Sequence, residues 1–600
     1  MIAPGRRGVV AALAVVGLAA AVLGFALGRL APTVNEPATA GPAAGTSPSR
    51  IREWVASMTI EQKVGQILHV GFPGVEPGPE VEELIRRHYV GGVILFARNV
   101  VDPVQVARLT NALQEMARSS GARVPLLVSV DQEGGLVARL TRGATVFPGN
   151  MALGAADSET LAYQAGLWTA RELRAVGIHQ DYAPVLDVNN NPANPVIGVR
   201  SFGESPQRVA ALGVAMIRGL QDGGVLATAK HFPGHGDTAV DSHIDLPTVA
   251  HPMERLRQIE LLPFEAAIEA GVASIMTAHV TFPSVDPTPG LPATLSSRVL
   301  TGLLREAMGF QGLVVTDALE MGAIVKRFGI EEAAVQAVRA GADAVLVAWP
   351  QDWATAVRVA RRLVEAARSG EIPAARLEEA VSRVMAAKAR VGLLDGDPRV
   401  DVAAVPQRVG SSEARSAALE AARRSVTRVA DPNGFVPLGE GRRLLVVVPR
   451  IQDLTGVEER GAHTTGLGAA LAEVGFEVEE RTYPLAIQAT EVERLLQDLA
   501  RWDAVLVGTY RAWEPRYAGQ VQLVRRAWEL NLGRPTVVVA LREPYDLGEM
   551  PDGPALLATY GTTAVSLQAL AEVLAGRTPA DGRLPVGLPG RWPAGHRWQP

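Results

Sequence analysis

The 600-residue chain is predicted to fold as an α/β protein. The expected architecture is a (β/α)8 TIM-like barrel, then a smaller α/β sandwich domain, behind an N-terminal transmembrane or signal segment. Three observations predict this. From residue 50 onward, short and almost wholly apolar runs alternate with stretches of helical spacing. Eight such runs precede a polar, proline-bearing link near residue 400, and three more follow it. At the start, two arginines stand before a long uncharged apolar stretch. The length agrees, because single hydrophobic cores stop growing near about 250–300 residues, so two domains are expected.

The first thirty residues read as a targeting segment. Arg6 and Arg7 precede the apolar stretch 8–28, which Arg29 closes. A helix needs about 20 residues to span a bilayer, whereas the core of a signal peptide is usually about 7–15. The length therefore favours an uncleaved membrane anchor over a cleaved signal peptide. The arginines before the span place residue 30 onward outside the cytoplasm, so the protein is expected to be extracytoplasmic, membrane-anchored or secreted. Residues 31–49, rich in Pro, Ala, Thr, Gly and Ser, read as a disordered tether.

The barrel is assigned to residues 50–400. Its strand candidates are 65–71, 92–96, 126–130, 181–186, 226–230, 274–278, 312–316 and 344–347. Their near-continuous hydrophobicity is what strands buried on both faces require. Segments such as 103–117 and 158–175 between them have helical spacing. Periodicity alone fits a closed barrel or a large open sheet. The polar residues add weight: Asp131, Asp187, His231, His279 and Asp317 follow the third to seventh runs. Active sites of such barrels lie at the carboxyl ends of the strands, and five polar groups on one rim suggest a site. Residues 376–394 read as a closing amphipathic helix, and a link through Pro398 and Pro406 leads to the second domain, 408–600. Its apolar runs are 444–448, 504–508 and 536–540.

Composition narrows the function. Hydrophobic content of 48% with 20% charged residues is that of a globular protein. A net charge of −5 gives no basic surface and no reason to expect a nucleic-acid partner. The chain has no cysteine, which removes disulfides, thiolate metal sites, a cysteine nucleophile and a lipidated N-terminal cysteine.

The strongest chemical signal is Lys230-His-Phe-Pro-Gly-His-Gly-Asp-Thr-Ala-Val-Asp-Ser-His243, which holds three of the ten histidines. Gly and Pro interrupt it too often for a helix, so it is a loop leaving the fifth strand. One reading is a hydrogen-bonded loop without chemistry. A second is a metal site of His231, His235, Asp237, Asp241 and His243, since histidine and carboxylate suit zinc; the helical i, i+4 frame of the usual zinc hydrolase motif is absent. A third is an acid/base device. The other signal is Gly312-Leu-Val-Val-Thr-Asp-Ala-Leu-Glu-Met321, an apolar strand ending in Asp317. Strand-end aspartates are common helix caps, but a carboxylate there can also serve as a nucleophile. Glu320 is expected on the following helix.

Together these runs resemble the glycoside hydrolase family 3, in its two-domain β-N-acetylglucosaminidase (β-hexosaminidase) branch. The resemblance is close over residues 50–393 and looser beyond, where the stretch 571–585 is similar to the family's usual ending. It implies that His243 is the acid/base, oriented by Asp241, and that Asp317 is the nucleophile of a retaining reaction. Histidine suits the proton role, its unperturbed pKa near ~6.5 letting it give and take a proton at neutral pH. The resemblance further implies that Asp131, Arg139, Arg200, Lys230 and His231 bind the sugar. Leu136 departs from the pattern, standing where this branch often has arginine. The implied activity is exo-hydrolysis of terminal β-linked GlcNAc from peptidoglycan fragments or chitooligosaccharides, with no cofactor and no metal. In β-glucosidase relatives the second domain supplies the acid/base glutamate. The Asp241–His243 pair removes that need, so the second domain is expected to be mainly structural. Other readings remain: a β-N-acetylglucosaminide phosphorylase, whose phosphate acceptor a site without an acid/base carboxylate would repel less; a β-glucosidase; a non-catalytic sugar binder; and a metallohydrolase.

Overall fold

Each of the eight apolar runs overlaps a strand, the fourth only at Asp181: β1 (Leu68–Val70), β2 (Gly92–Leu95), β3 (Leu127–Val130), β4 (Gln180–Asp181), β5 (Leu226–Phe232), β6 (Ser274–Thr277), β7 (Leu313–Val315) and β8 (Val345–Val347). All are buried, as continuous hydrophobicity requires. The computed structural model describes residues 46–348, 353–458, 465–531 and 533–599. The expected membrane segment and nearly all of the tether lie outside the described residues. Among those described, no helix is long and apolar enough to cross a membrane.

The barrel strands are parallel and ordered β8-β1-β2-β3-β4-β5-β6-β7. A single parallel bridge, Val315 to Ala344, joins β7 to the start of β8 and nearly closes the barrel. Helices occupy the crossovers, among them Pro103–Arg118, Glu159–Ala175 and Pro206–Asp222. At the base, buried Asp343 accepts from Arg305, Arg376 and Arg383 and from the Val314 amide, tying the closing helix Ala374–Arg390 to β7.

Three local expectations shift. The first run begins as helix, because Thr59 caps Ile60–Gln66 through a reciprocal pair with Gln62, and β1 starts only at Leu68. The fourth run pairs as a strand only at Gln180–Asp181, with one further bridge from Val185 to Lys230; Pro184 within the run lacks the N–H that a ladder needs. The folded body also reaches back into the supposed tether, since Ser47 caps the helix Pro48–Ser57 and Thr46 donates to Asp395.

The second sheet has six strands: β9 (Thr427–Ala430), β10 (Arg443–Arg450), β11 (Glu477–Pro484), β12 (Ala504–Thr509), β13 (Thr536–Ala540) and β14 (Ala555–Ala558). Their order is β9-β14-β13-β12-β10-β11, with only β9 antiparallel. Alternate residues of β10 enter different cores: Leu444, Val446 and Val448 face one side, Leu445 and Val447 the other. The second of these cores also contains Leu136, Val137, Met151 and Val199 from the barrel's upper loops. The chain's closing stretch returns to the barrel as well: Leu584, Val586 and Leu588 join that shared core, and the Arg583 amide donates to Ala155.

Candidate active site

The carboxyl ends of the barrel strands converge on a narrow cleft. Seven of the eight residues assigned to the site from sequence line it: Asp131, Arg139, Arg200, Lys230, His231, His243 and Asp317. The eighth, Asp241, stands behind His243.

The nucleophile candidate lies two residues beyond β7. Asp317 accepts from the Ala318 amide at 2.7 Å. Burial pushes its pKa up, but His279, His231, His243 and that amide outweigh it and hold the carboxyl below its ordinary value, hence ionised. His279 does not line the cleft. It is fully buried, bonding through Nδ1 to Thr294 Oγ1 and through Nε2 to the Ala318 carbonyl, and so braces the residue next to the nucleophile.

The histidine loop is held down by two anchors. Asp187, after β4, accepts from the backbone amides of His231 and His235 and from His231 Nδ1, the last at 2.7 Å. His235 then bonds through Nε2 to Ser242 Oγ at 2.9 Å and through Nδ1 to Thr238. Burial holds His235 neutral, its pKa pushed down to about 4. A side chain at Gly236 would place its Cβ 1.8 Å from the Val188 carbonyl oxygen, so only glycine lets the loop lie this close to the barrel. At the loop's end, Asp241 Oδ1 accepts from His243 N at 2.9 Å and from His243 Nδ1 at 2.8 Å. Burial raises the Asp241 pKa, yet the contacts with His243 lower it more. With Nδ1 committed to Asp241, Nε2 is the atom of His243 suited to exchanging a proton with substrate.

The five residues of the metal reading go separate ways. His231 pairs with Asp187, His235 with Ser242 and Thr238, Asp237 with His251, and His243 with Asp241. Among the described residues no three such side chains gather around a common point.

The sugar-binding candidates form one charged floor. Lys230 donates to Asp131 at 2.7 Å and to Glu133 at 2.7 Å. Arg200 grips both oxygens of Glu133, at 2.9 and 2.8 Å. Burial raises the Glu133 pKa, but Arg200 and Lys230 outweigh it and drive the pKa far down. Glu133 was not singled out from sequence. The signal was present: in extended chain, Asp131 and Glu133 share a face while Gln132 points away, and Gln132 caps the Leu140 carbonyl instead. Asp181 lies next to this floor, its Oδ1 accepting from the Gln132 amide, and burial pushes its pKa up to about 8. Gly134 and Gly135 both take left-handed φ values (85° and 59°), turning the chain back so that Arg139 returns to the cleft, its amide bonded to Gln132.

Two sequence expectations need correcting, and the place of Leu136 is explained. Glu320 sits in the turn before the helix Gly322–Val325, where it accepts from the Ala348 amide. Leu136 is not on the cleft; it is buried in the core shared with the second sheet, which explains an apolar residue there. The second domain, expected to be mainly structural, reaches the cleft: Val457 lines it, its carbonyl accepts from Arg139 Nη2 at 2.9 Å, and Gly456 lies against the ring of His243. Sequence spacing could not show this, because the contact joins positions more than 200 residues apart.

Known proteins resemble this chain over most of its length. A family profile described as "Glycosyl hydrolase family 3 N terminal domain" matches residues 59–387. "Beta-hexosaminidase A" of Pseudoalteromonas piscicida is 32% identical over 551 residues, covering 85% of this chain and 91% of that protein. "Beta-N-acetylglucosaminidase/beta-glucosidase" of Cellulomonas fimi is 31% identical over 571 residues, covering 90% and 96%. The solved structure of a glycoside hydrolase family 3 β-N-acetylglucosaminidase from Paenibacillus sp. str. FPU-7 is 42% identical, with a TM-score of 0.81 over 88% of this chain and 99% of that one. With an ionised strand-end aspartate facing an Asp–His pair across one cleft, and with these relatives matched over most of their length, the chain belongs to glycosyl hydrolase family 3.

Proposed function

We propose that the protein is an exo-acting, retaining β-N-acetylglucosaminidase that removes terminal β-linked GlcNAc through a covalent glycosyl-enzyme. The observation that carries this is the Asp241–His243 pair in the cleft of Asp317, an acid/base that is not a carboxylic acid. Asp317 attacks the anomeric carbon while His243 Nε2–H protonates the departing glycosidic oxygen. His243 then takes a proton from water, which attacks the same carbon, returns Asp317 as carboxylate and restores the original configuration. Asp241 keeps Nδ1 protonated and offsets the imidazolium charge. Asp131, Lys230, Arg200 and Arg139 present the donors and acceptors that sugar hydroxyls need. The names of the 32% and 42% identical relatives support the choice of sugar. Peptidoglycan fragments are the proposed substrate pool, reached if the apolar stretch 8–28 anchors the protein on the outer face of the cell membrane.

The test is a set of nitrophenyl β-glycosides assayed in water and in phosphate. GlcNAc released with retained configuration, independent of phosphate, is expected. A sugar 1-phosphate formed only with phosphate present would make the enzyme a phosphorylase, and a preference for the β-glucoside would overturn the assigned sugar. Detection of the protein in the soluble cytoplasmic fraction would remove the location.

A further inference from the structure

The second sheet reverses its strand order between β10 and β12: the chain leaves β10 to lay β11 on one side and β12 on the other. Open α/β sheets bind their ligands in the crevice outside the carboxyl ends of strands at such a point. Here the loop leaving β10, residues 454–458, reaches from that crevice to the barrel's cleft. We propose that this strap is part of the catalytic apparatus: Gly456 and Val457 are positioning residues for His243 and Arg139, and the Arg542–Glu458 pair sets the strap's height over the cleft. The inference rests on the acid/base role given to His243 above.

The strap is anchored below and engaged above. Glu458 accepts from Arg542 Nη1 at 2.8 Å and from Thr455 Oγ1 at 3.0 Å, folding the strap onto its own anchor. Arg542 is fixed in turn by Tyr510 Oη at 2.8 Å and Glu543 at 3.0 Å. Arg542 and Glu458 are 4% and 3% exposed, and an ion pair so enclosed holds its geometry far better than a surface one. Above, the Val457 carbonyl accepts from Arg139, and Val457 lines the cleft while packing against the shared core. Gly456 is solvent-exposed on its outer side. On its inner side a Cβ would stand 3.1 Å from His243 Cδ2 and 3.3 Å from Cγ. The imidazole is therefore confined between Asp241, which holds Nδ1, and a strip of bare backbone. That confinement fixes the ring angle that aims Nε2, and a tilt of the ring is felt most where protonation of the leaving group matters most.

Gly456→Ala tests this in the full-length protein. Its φ lies outside the left-handed region, so the backbone accepts alanine and the new methyl acts only by pressing on the imidazole. The variant should lose tenfold or more in kcat/KM on a β-linked GlcNAc disaccharide, lose much less on nitrophenyl β-GlcNAc, and show a displaced limb in its pH–rate profile, with an unchanged unfolding midpoint. Val457→Ala shortens the wall without reaching His243; it should raise KM several-fold, hold kcat, and show no leaving-group bias. If His243→Ala shows the leaving-group bias while Gly456→Ala matches wild type on both substrates, the strap is only packing and the inference is overturned, with the acid/base reading intact. If His243→Ala shows no bias, the acid/base reading fails and this inference falls with it.

Discussion

At the scale of single residues, the site separates its charges by environment. Half-buried Asp317 and buried Asp241 are held below their ordinary pKa by nearby histidines and backbone amides, while in Asp181 burial outweighs the Gln132 amide and Lys230 and pushes the pKa up to about 8. An ionised nucleophile facing an Asp-held imidazole makes distinct predictions for each member. Asp317→Ala should abolish turnover without altering the thermal unfolding midpoint, since no other cleft carboxylate is placed by this reading to attack the anomeric carbon; appreciable residual activity would remove the nucleophile assignment. His243→Ala should cut cleavage of a natural disaccharide within the ~10²–10⁴-fold range of general acid–base catalysis. It should spare formation of the glycosyl-enzyme from nitrophenyl β-GlcNAc, because nitrophenolate leaves without a proton. Azide, which needs no deprotonation, should restore turnover of the variant as a β-glycosyl azide. Asp241→Ala should show the same bias more mildly. Equal losses on both substrates, with no azide product, would place the proton donor elsewhere, and Glu458 beside the cleft-lining Val457 is the first glutamate to test.

At the scale of elements, the loop following β5 joins fold to chemistry. Asp187 on the neighbouring strand connection binds both ends of the turn 231–235, and Gly236 lets it settle on the backbone of Val188. Gly236→Ala should therefore displace the loop as a unit. Backbone lies opposite, so no side-chain rotation relieves a 1.8 Å approach. A lower unfolding temperature together with a loss of activity on both substrate types is expected; an unchanged protein would mean that the loop does not rest on the Val188 backbone. The loop's existence was legible in the sequence, because glycine and proline at that density exclude a helix. The missed strands were harder to see. β11 reads Glu-Val-Glu-Glu-Arg-Thr-Tyr-Pro and is largely solvent-facing at the sheet edge, so it carries no apolar run. β9 (Thr-Arg-Val-Ala) is interrupted by Arg428, and β14 is a short Ala-Leu-Leu-Ala run that fits a buried helix segment as well as a strand.

At the scale of the whole molecule, the barrel and the second sheet depend on each other. The shared core takes Leu136, Met151 and Val199 from one and Leu445, Val505 and Leu588 from the other. Residues 46–400 expressed alone would expose that apolar face, and they should aggregate or unfold; a soluble, active barrel would show that the interface is dispensable. The barrel interior yields a second prediction. Lys388 of the closing helix is fully buried against Gln66, and burial pushes its pKa down to about 7 from an ordinary 10.5. Between those values the unfolded chain holds a proton that the folded one has released, so stability rises with pH across that window, and below about pH 7 the full cost of the buried charge is felt. Lys388→Met removes this dependence. Its stability relative to wild type, measured by denaturant unfolding, should be greatest near pH 6 and decline steadily toward pH 10; parallel curves would mean that Lys388 keeps its ordinary pKa.

The family resemblance named the nucleophile and acid/base candidates; the sequence by itself determined the alternation of apolar runs and helices and the rim on which the polar residues fall. Each of these is written in local spacing: a strand buried on both faces must be apolar throughout, and the group that follows it must meet the rim. Only the tertiary structure decided which charges neutralise one another, that Glu133 binds Lys230 and Arg200 together, and that a loop from the second sheet closes over His243. Those contacts join residues 67 to more than 300 positions apart. No spacing rule encodes them, because they exist only once two separately patterned sheets have buried a common core.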